Sequence, residues 1–479
     1  MIDRRTLMSG TATLMGTGLL AGCAGIGSVA PQSPPVATTD ASLLDDVEER
    51  TFRFFWDTTN AKNGLAPDRW PSRPFASIAA TGFALTSYPI GVDRGWITRD
   101  QARERTLATL RFFHDAPQGP GKTGVSGYKG FFYHFLDLDT GLRRGRTELS
   151  SVDTTLLLGG ILFAAQWFDR DTAEEREIRD LAHAIYARVE WPFFQNHAPA
   201  ISMGWHPESG FTPADWVGYN EGMLVNILAL GAPDHAVGPE IWDAWCATYG
   251  KNWRGSTPET KFLAFAPHFG HQYSHSWVDF RGIRDKVMRG IGSDYFENSR
   301  RATYAQRAYA IANPMGWKEY SKDIWGLTAC DGPASVKHVY NGQERQFRSY
   351  SARGPESMPD GFDDGTIAPT AAVASIAFAP EIVKPTIAAL REFQGGRLYG
   401  KYGFIDSFNP SFTWPDATSG SVDPRLGWID DDLLGIDQGP IVAMLANYRS
   451  DFIWSRMRDC APIRRGLQRA GFTGGWLDS

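Results

Sequence analysis

The sequence predicts an all-α protein: a single (α/α)6 barrel, inner helices alternating with outer ones, with long loops and short β-hairpins. Three observations carry that expectation. Segments with apolar residues at helical spacing follow one another along most of the chain, about twelve in all. The chain holds 50 Gly and 29 Pro, enough to punctuate as many connections. No stretch within residues 42–479 has the composition of an interdomain linker, and no fixed-period repeat is visible. One double ring of unlike helices is therefore preferred to a solenoid or to two separate helical domains.

The elements follow in order. Leu44, Val47, Phe54 and Phe55 share one face of a first helix that Ser42 is expected to cap. Helical periodicity then recurs over 80–87, 102–114, 151–167, 173–189, 221–229, 239–249, 276–288, 294–311, 367–378, 381–393 and 439–456. Strand signals are few: 131–137 and 397–405 read as short hairpin arms outside the helices.

The first residues read as an address rather than as part of the fold. Arg4 and Arg5 make a charged start of the twin-arginine kind, and the apolar stretch after them is too short for a membrane span. It ends in Leu20-Ala21-Gly22-Cys23, which resembles the bacterial lipobox, with Cys23 as the lipidation site. Residues 1–23 are thus expected to be a signal peptide, 24–41 a flexible tether and 42–479 the folded domain. Ala24 rather than Asp after Cys23 favours the outer membrane, giving a periplasmic protein held by a lipid anchor alone. Cys246, Cys330 and Cys460 have no Cys or His at zinc spacing, so buried thiols and no structural metal are expected.

Composition narrows the function classes. A net charge of -6 without basic runs argues against a nucleic-acid partner. The 17 Trp, in an acidic and loop-rich chain, suit a carbohydrate cleft, where sugar rings stack on flat apolar faces. A large aromatic core accounts for them equally well. Phosphate-binding, zinc-protease and α/β-hydrolase motifs are all absent from the sequence. His268, His271 and His275 are loosely clustered, without an acidic residue at metal-ligand spacing, and are expected to make polar contacts.

Three carboxylates are more informative. Asp153 precedes Leu156-Leu157-Leu158, Glu221 precedes Met223-Leu224-Val225, and Asp437 precedes Ile441-Val442-Ala443-Met444. Each falls at the expected first turn of an apolar, hence inner, helix. Capping and the helix dipole explain any one of them alone. Three helix starts sharing one end of a barrel, however, bring three acids around one mouth, with Tyr219, Trp205, Trp216 and Trp428 nearby in sequence. Glycoside hydrolysis needs that equipment: a protonated carboxyl for the leaving oxygen and an ionised carboxylate on the other side. A helix N-terminus favours the ionised form, so the acid needs apolar walls to keep its proton. Glu221, flanked by Tyr219 and the 205–216 loop, is best placed for that.

These residues resemble a known group. The stretches Glu148-Leu149-Ser150-Ser151-Val152-Asp153-Thr154, Gly218-Tyr219-Asn220-Glu221, Asp364-Gly365-Thr366-Ile367-Ala368-Pro369 and Leu434-Gly435-Ile436-Asp437-Gln438-Gly439-Pro440 look like the bacterial glycoamylase-like domain. So does the opening Glu49-Arg50-Thr51-Phe52-Arg53-Phe54-Phe55-Trp56. The group includes the endo-β-1,2-glucanases of glycoside hydrolase family 144 and is similar to the C-terminal region of cyclic β-1,2-glucan synthases. The resemblance implies an (α/α)6 barrel, no required cofactor and inversion at the anomeric carbon. It implies Glu221 as general acid, with Asp437 and Asp153 as the other catalytic acids. One departure stands out: Ser150 occupies a position that is acidic in the β-1,2-glucanases, and Glu148 lies just upstream as its substitute.

The expectation is a monomeric glycoside hydrolase acting on a β-glucan oligo- or polysaccharide, most of all a β-1,2-linked one. Trp205, Trp216, Trp325 and Trp428 are candidate stacking platforms, with Glu148, Tyr219 and His271 as further substrate contacts. A transglycosylase using the same site, and a glycan-binding lipoprotein without catalysis, are the alternatives. Longer products with an added acceptor mark the first, and binding without sugar release marks the second.

Overall fold

The computed structural model describes residues 40–479, so the expected signal peptide, Cys23 and nearly all of the tether lie outside the described residues. The helices are α1 (Asp40–Thr58), α2 (Ile78–Asp93), α3 (Arg99–Asp115), α4 (Ser151–Trp167), α5 (Ala173–Ala187), α6 (Met223–Gly231) and α7 (Glu240–Cys246). They continue with α8 (Lys286–Ile291), α9 (Tyr295–Ala312), α10 (Pro369–Val373), α11 (Pro380–Glu392), α12 (Gly435–Ser450), α13 (Trp454–Met457) and α14 (Ala461–Arg469). Because α1 begins at Asp40, Ser42 lies within its first turn and does not cap it.

Two concentric layers result. α12, α2, α4 and α6 pack side by side as an inner ring, with α10 against α12. The remaining inner position carries no long helix. Two 3₁₀ turns, His268–His271 and Ser274–Ser276, fill it. Hydrogen bonds close the ring through them: Leu224 N–H donates to Ser274 Oγ at 3.2 Å, and Gln272 Nε2 donates to the Ala371 carbonyl at 2.8 Å. Thr370 Oγ then donates to the Asp437 carbonyl at 2.8 Å. Outside, α1 covers α2 and α12, α3 covers α2, α5 covers α4, α9 covers the 3₁₀ turns and α11 covers α10. α14, which no periodicity in the sequence reading indicated, covers α6.

The inner helices are apolar on every side, as a helix enclosed by others must be. In α4 all residues from Ser151 to Ala165 are buried. α2 and α4 approach so closely that only glycine fits at their crossing. A Cβ on Gly160 would lie 1.9 Å from the Gly82 carbonyl oxygen. Side-chain oxygens start inner and outer helices alike: Ser77 accepts from Ala80 N–H in α2, Ser150 accepts from Asp153 N–H in α4, and Thr98 forms a capping box with Gln101 in the outer α3.

Several expectations need correction. The 276–288 helix does not form. Asp279 is instead held by Arg281 and Arg458, and the chain turns at Gly282 before Asp285 caps α8. The 367–378 segment contributes only the short α10. Segment 397–405 is a hairpin as expected, pairing Tyr399 with Phe404. Segment 131–137 is not a simple hairpin. Its strand Phe131–Tyr133 enters a five-stranded sheet with Gly127–Tyr128, Leu149–Ser150, Gly204–His206 and Gly210–Phe211.

The crossing of α2 and α4 can be tested directly. Gly160→Ala is expected to lower the free energy of unfolding by about 1–3 kcal/mol, because backbone rather than a flexible side chain must give way. Gly290→Ala, in α8 with open space around it, is expected to be neutral or slightly stabilising. Urea unfolding of the two variants measures the difference.

Candidate active site

The start of α4 and the turn before α6 open into one cavity of about 1010 Å³. Glu221, Asn220, Trp216, Asp153, Ser150, Glu148 and His134 line it, with Phe75, Phe135, Phe265 and Phe269 as apolar wall. Among the expected catalytic acids, Asp153 and Glu221 thus share one cavity. Asp153 lies in the first turn of α4, as the sequence indicates. Glu221 does not belong to α6, which begins at Met223 after Gly222. It sits on a tight turn instead, where Gly222 N–H donates to Asn220 Oδ1 and Ser274 Oγ donates to the Glu221 carbonyl. Glu221 is 6 % exposed.

Asp437 lies in the first turn of α12 but is not among the cavity-lining residues. It belongs to a second group. Asp331, Asp406 and Asp430 present carboxylate oxygens within 4.8 Å of one another, and Asp437 adjoins Asp406. Arg69 binds both Asp68 and Asp331, giving this group a positive charge. One guanidinium does not neutralise five buried carboxyls, so protons are retained. Burial, then the adjoining carboxylates, push Asp430 up to about 9 and hold Asp406 well above the usual range. Asp68 is raised as well, chiefly by burial.

The cavity-side carboxylates are treated differently. His134 Nδ1 lies 2.8 Å from Glu148 Oε1, and His134 Nε2 lies 3.4 Å from Asp153 Oδ1. The other Asp153 oxygen accepts from Ser150 Oγ at 2.6 Å. Burial alone would push the Glu148 carboxyl up, yet the charge and hydrogen bond of His134 outweigh it and hold Glu148 below its usual range. Like the Asp331 group, these three offer ligand atoms within 4.8 Å of one another. In the first group His134 lies against both carboxylates, and in the second Arg69 binds Asp331.

Strand parity decides which side chains reach the cavity. Tyr133, Leu149 and Trp205 are directly paired and share one face of the sheet, while Phe132, Ser150 and Gly204 share the other. Trp205 therefore points away from the cavity and packs on Tyr128 and Phe193. Trp325 and Trp428 are core residues too, their indole N–H groups bonded to Thr386 Oγ1 and the Ser419 carbonyl. Of the four expected platforms only Trp216 lines the cavity, with its Nε1 donating to Ser151 Oγ at 2.8 Å.

Tyr219 and His271 are likewise core positions behind the wall, ring on ring at 4.9 Å. Burial lowers His271 and takes His268 and His275 down to about 3, so this cluster is neutral. Sequence reading missed His134, although it is the one basic residue in the aromatic run Phe131-Phe132-Tyr133-His134-Phe135. It also missed Asp406 and Asp430, which stand in loops with no motif around them. Cys246, Cys330 and Cys460 are free thiols, the last two buried and Cys246 partly so.

With this geometry in place, comparison with known proteins is informative. A family model described as "Putative glucoamylase" matches residues 213–461, and the chain belongs to this glycoamylase family. Over 467 residues it is 28 % identical to an exo β-1,2-glucooligosaccharide sophorohydrolase (non-reducing end) of Parabacteroides distasonis. That match covers 90 % of this chain but only 58 % of the relative. A solved structure described as a "putative glucoamylase", from Bacteroides uniformis, is 30 % identical with a TM-score of 0.77, covering 93 % of this chain and 100 % of its own. The endo-β-1,2-glucanase of Chitinophaga pinensis, solved with sophorotriose and glucose, is 25 % identical with a TM-score of 0.75, covering 92 % and 100 %.

The retained protons make a prediction. A folded-state pKa raised to about 9 means that the native state holds a proton the unfolded chain releases near pH 4. Stability is then lost as pH rises between those values. Asp430→Asn, neutral at every pH, is expected to lose less of its melting temperature between pH 5 and pH 8 than the wild type. An unchanged pH dependence would contradict the assignment.

Proposed function

We propose that the chain is a glycoside hydrolase that cleaves β-1,2-linked glucan. The observation that carries this reading is one cavity lined by Glu221, buried on a turn, together with Glu148 and Asp153 on either side of His134. The similarity to a β-1,2-glucooligosaccharide sophorohydrolase and to an endo-β-1,2-glucanase supports the linkage.

In this reading Glu221 donates its proton to the glycosidic oxygen as the bond to the anomeric carbon breaks. Water adds to that carbon and gives up a proton to an ionised carboxylate, with inversion. Asp153, which lines the cavity, or Asp437 receives it, directly or through a substrate hydroxyl. Trp216 supplies an aromatic face to a sugar ring. The reading requires no cofactor. It extends to the leader: export with lipid on Cys23, and residence at the outer membrane facing the periplasm.

The test is sugar release by the purified chain from linear β-1,2-, β-1,3-, β-1,4-, β-1,6- and α-1,4-glucans. Release is expected from the β-1,2 polymer or its oligosaccharides, falling about 10²–10⁴-fold in Glu221→Gln. Asp153→Asn and Asp437→Asn compared by kcat identify the proton acceptor. Glycan binding without release from any substrate would overturn the proposal.

A further inference from the structure

We propose that His134 is the positioning residue of the site, a doubly protonated imidazolium that fixes Glu148 as an ionised carboxylate facing the sugar. The proposal deepens the hydrolase reading and rests on it only for the identity of the sugar.

The geometry is built from the backbone outward. His134 N–H donates to the Glu148 carbonyl at 3.0 Å, continuing the pairing of strands Phe131–Tyr133 and Leu149–Ser150. The same two residues then meet again through their side chains at 2.8 Å. The imidazole cannot swing away. It stacks on the Phe135 ring, centroids 3.8 Å apart, and His134 is 6 % exposed. A carboxylate stands at each ring nitrogen, Glu148 at Nδ1 and Asp153 at Nε2. Carboxylates only accept, so Nδ1 carries a proton for Glu148, and Asp153 Oδ1, buried without a hydrogen-bond donor 3.4 Å from Nε2, favours a second proton there.

Space has been left for the pair. Gly204 on the adjoining strand has no side chain, and a Cβ there would lie 3.0 Å from Glu148 Cγ. The Glu148 side chain is 20 % exposed, against 2 % for Asp153. Glu148 is therefore the member of the triad open to ligand, and Asp153 the member that anchors the ring. The other ionisable groups facing this unit are His206 beside Glu148, with Arg143 and Glu208 behind it, and Asp68 on the far side of His134. Burial lowers His206, so it is a weak source of charge and His134 carries the role.

This arrangement also gives a physical account of Ser150. Ser150 caps α4 and donates to the second Asp153 oxygen, so the helix start holds one carboxylate rather than two. A second acid there would compete for the single imidazolium. With Glu148 supplied from the strand instead, one positive charge serves two carboxylates.

Two readouts test the proposal. The first needs no turnover. In the ¹⁵N-labelled chain at pH 7.5, both ring nitrogens of His134 are expected to carry protons, the signals being assigned by their loss in His134→Gln. A neutral ring would overturn the proposal whether or not the chain hydrolyses glucan. The second is the pH profile of kcat/KM on the substrate that the wild type cleaves. His134→Gln removes the charge that keeps Glu148 ionised, so burial governs and the acidic limb is expected to move up by about 1–3 pH units. A uniform loss at all pH values, with the limb unmoved, would reduce His134 to a packing residue and overturn the proposal. A doubly protonated His134 in a chain inactive on every glucan would uphold the proposal and count against the hydrolase reading alone.

Discussion

The structure depends on one constraint: carboxyl groups are buried at the end of an apolar ring, and each must be paired or must keep its proton. A carboxylate taken out of water without compensation is too costly for a folded chain to hold. Two solutions stand side by side. Facing the cavity, His134 stabilises the charge on Glu148 and lies against Asp153. In the second group, burial and the adjoining carboxylates raise Asp406 and Asp430 above the usual range, with Arg69 paired to Asp331.

The rest of the fold serves this arrangement. The start of α4 and the turn before α6 carry Asp153 and Glu221 at the cavity, and the first turn of α12 carries Asp437 outside its lining. The α2–α4 crossing, tight enough to require Gly82 and Gly160, sets how far apart those starts lie. At the ring position between α6 and α10, two 3₁₀ turns with neutral histidines stand in place of a long helix, beside the wall that Phe265 and Phe269 contribute. Strands outside the barrel then bring His134 and Glu148 to the mouth of α4. Their pairing, not the helices, decides that Glu148 faces the cavity while Trp205 faces the core.

Much of this was legible in the sequence, for identifiable reasons. Amphipathic outer helices such as α3, α5 and α11 show one apolar stripe each, so their periodicity marks them. Inner helices such as α4 show instead an unbroken apolar run, and its acidic first turn located Asp153. The misses share a cause as well. Glu221 looks like a helix start because the run after it is apolar, but Asn220 and Gly222 make a turn first. The expected helix at 276–288 has helical spacing, yet long-range ion pairs of Asp279 hold the chain otherwise. Tryptophan in sequence does not reveal which way it points, and only Trp216 reached the cavity. His134 and the buried aspartates become a site only through pairing across the fold, which local patterns do not encode.

The most direct measurement is a crystal structure of the Glu221→Gln variant with a bound β-1,2-linked glucooligosaccharide. The account predicts a glycosidic oxygen within hydrogen-bond distance of the residue 221 amide, with a sugar hydroxyl on Glu148. An oligosaccharide seated elsewhere on the surface, or one crossing the cavity with no glycosidic oxygen near residue 221, would contradict it.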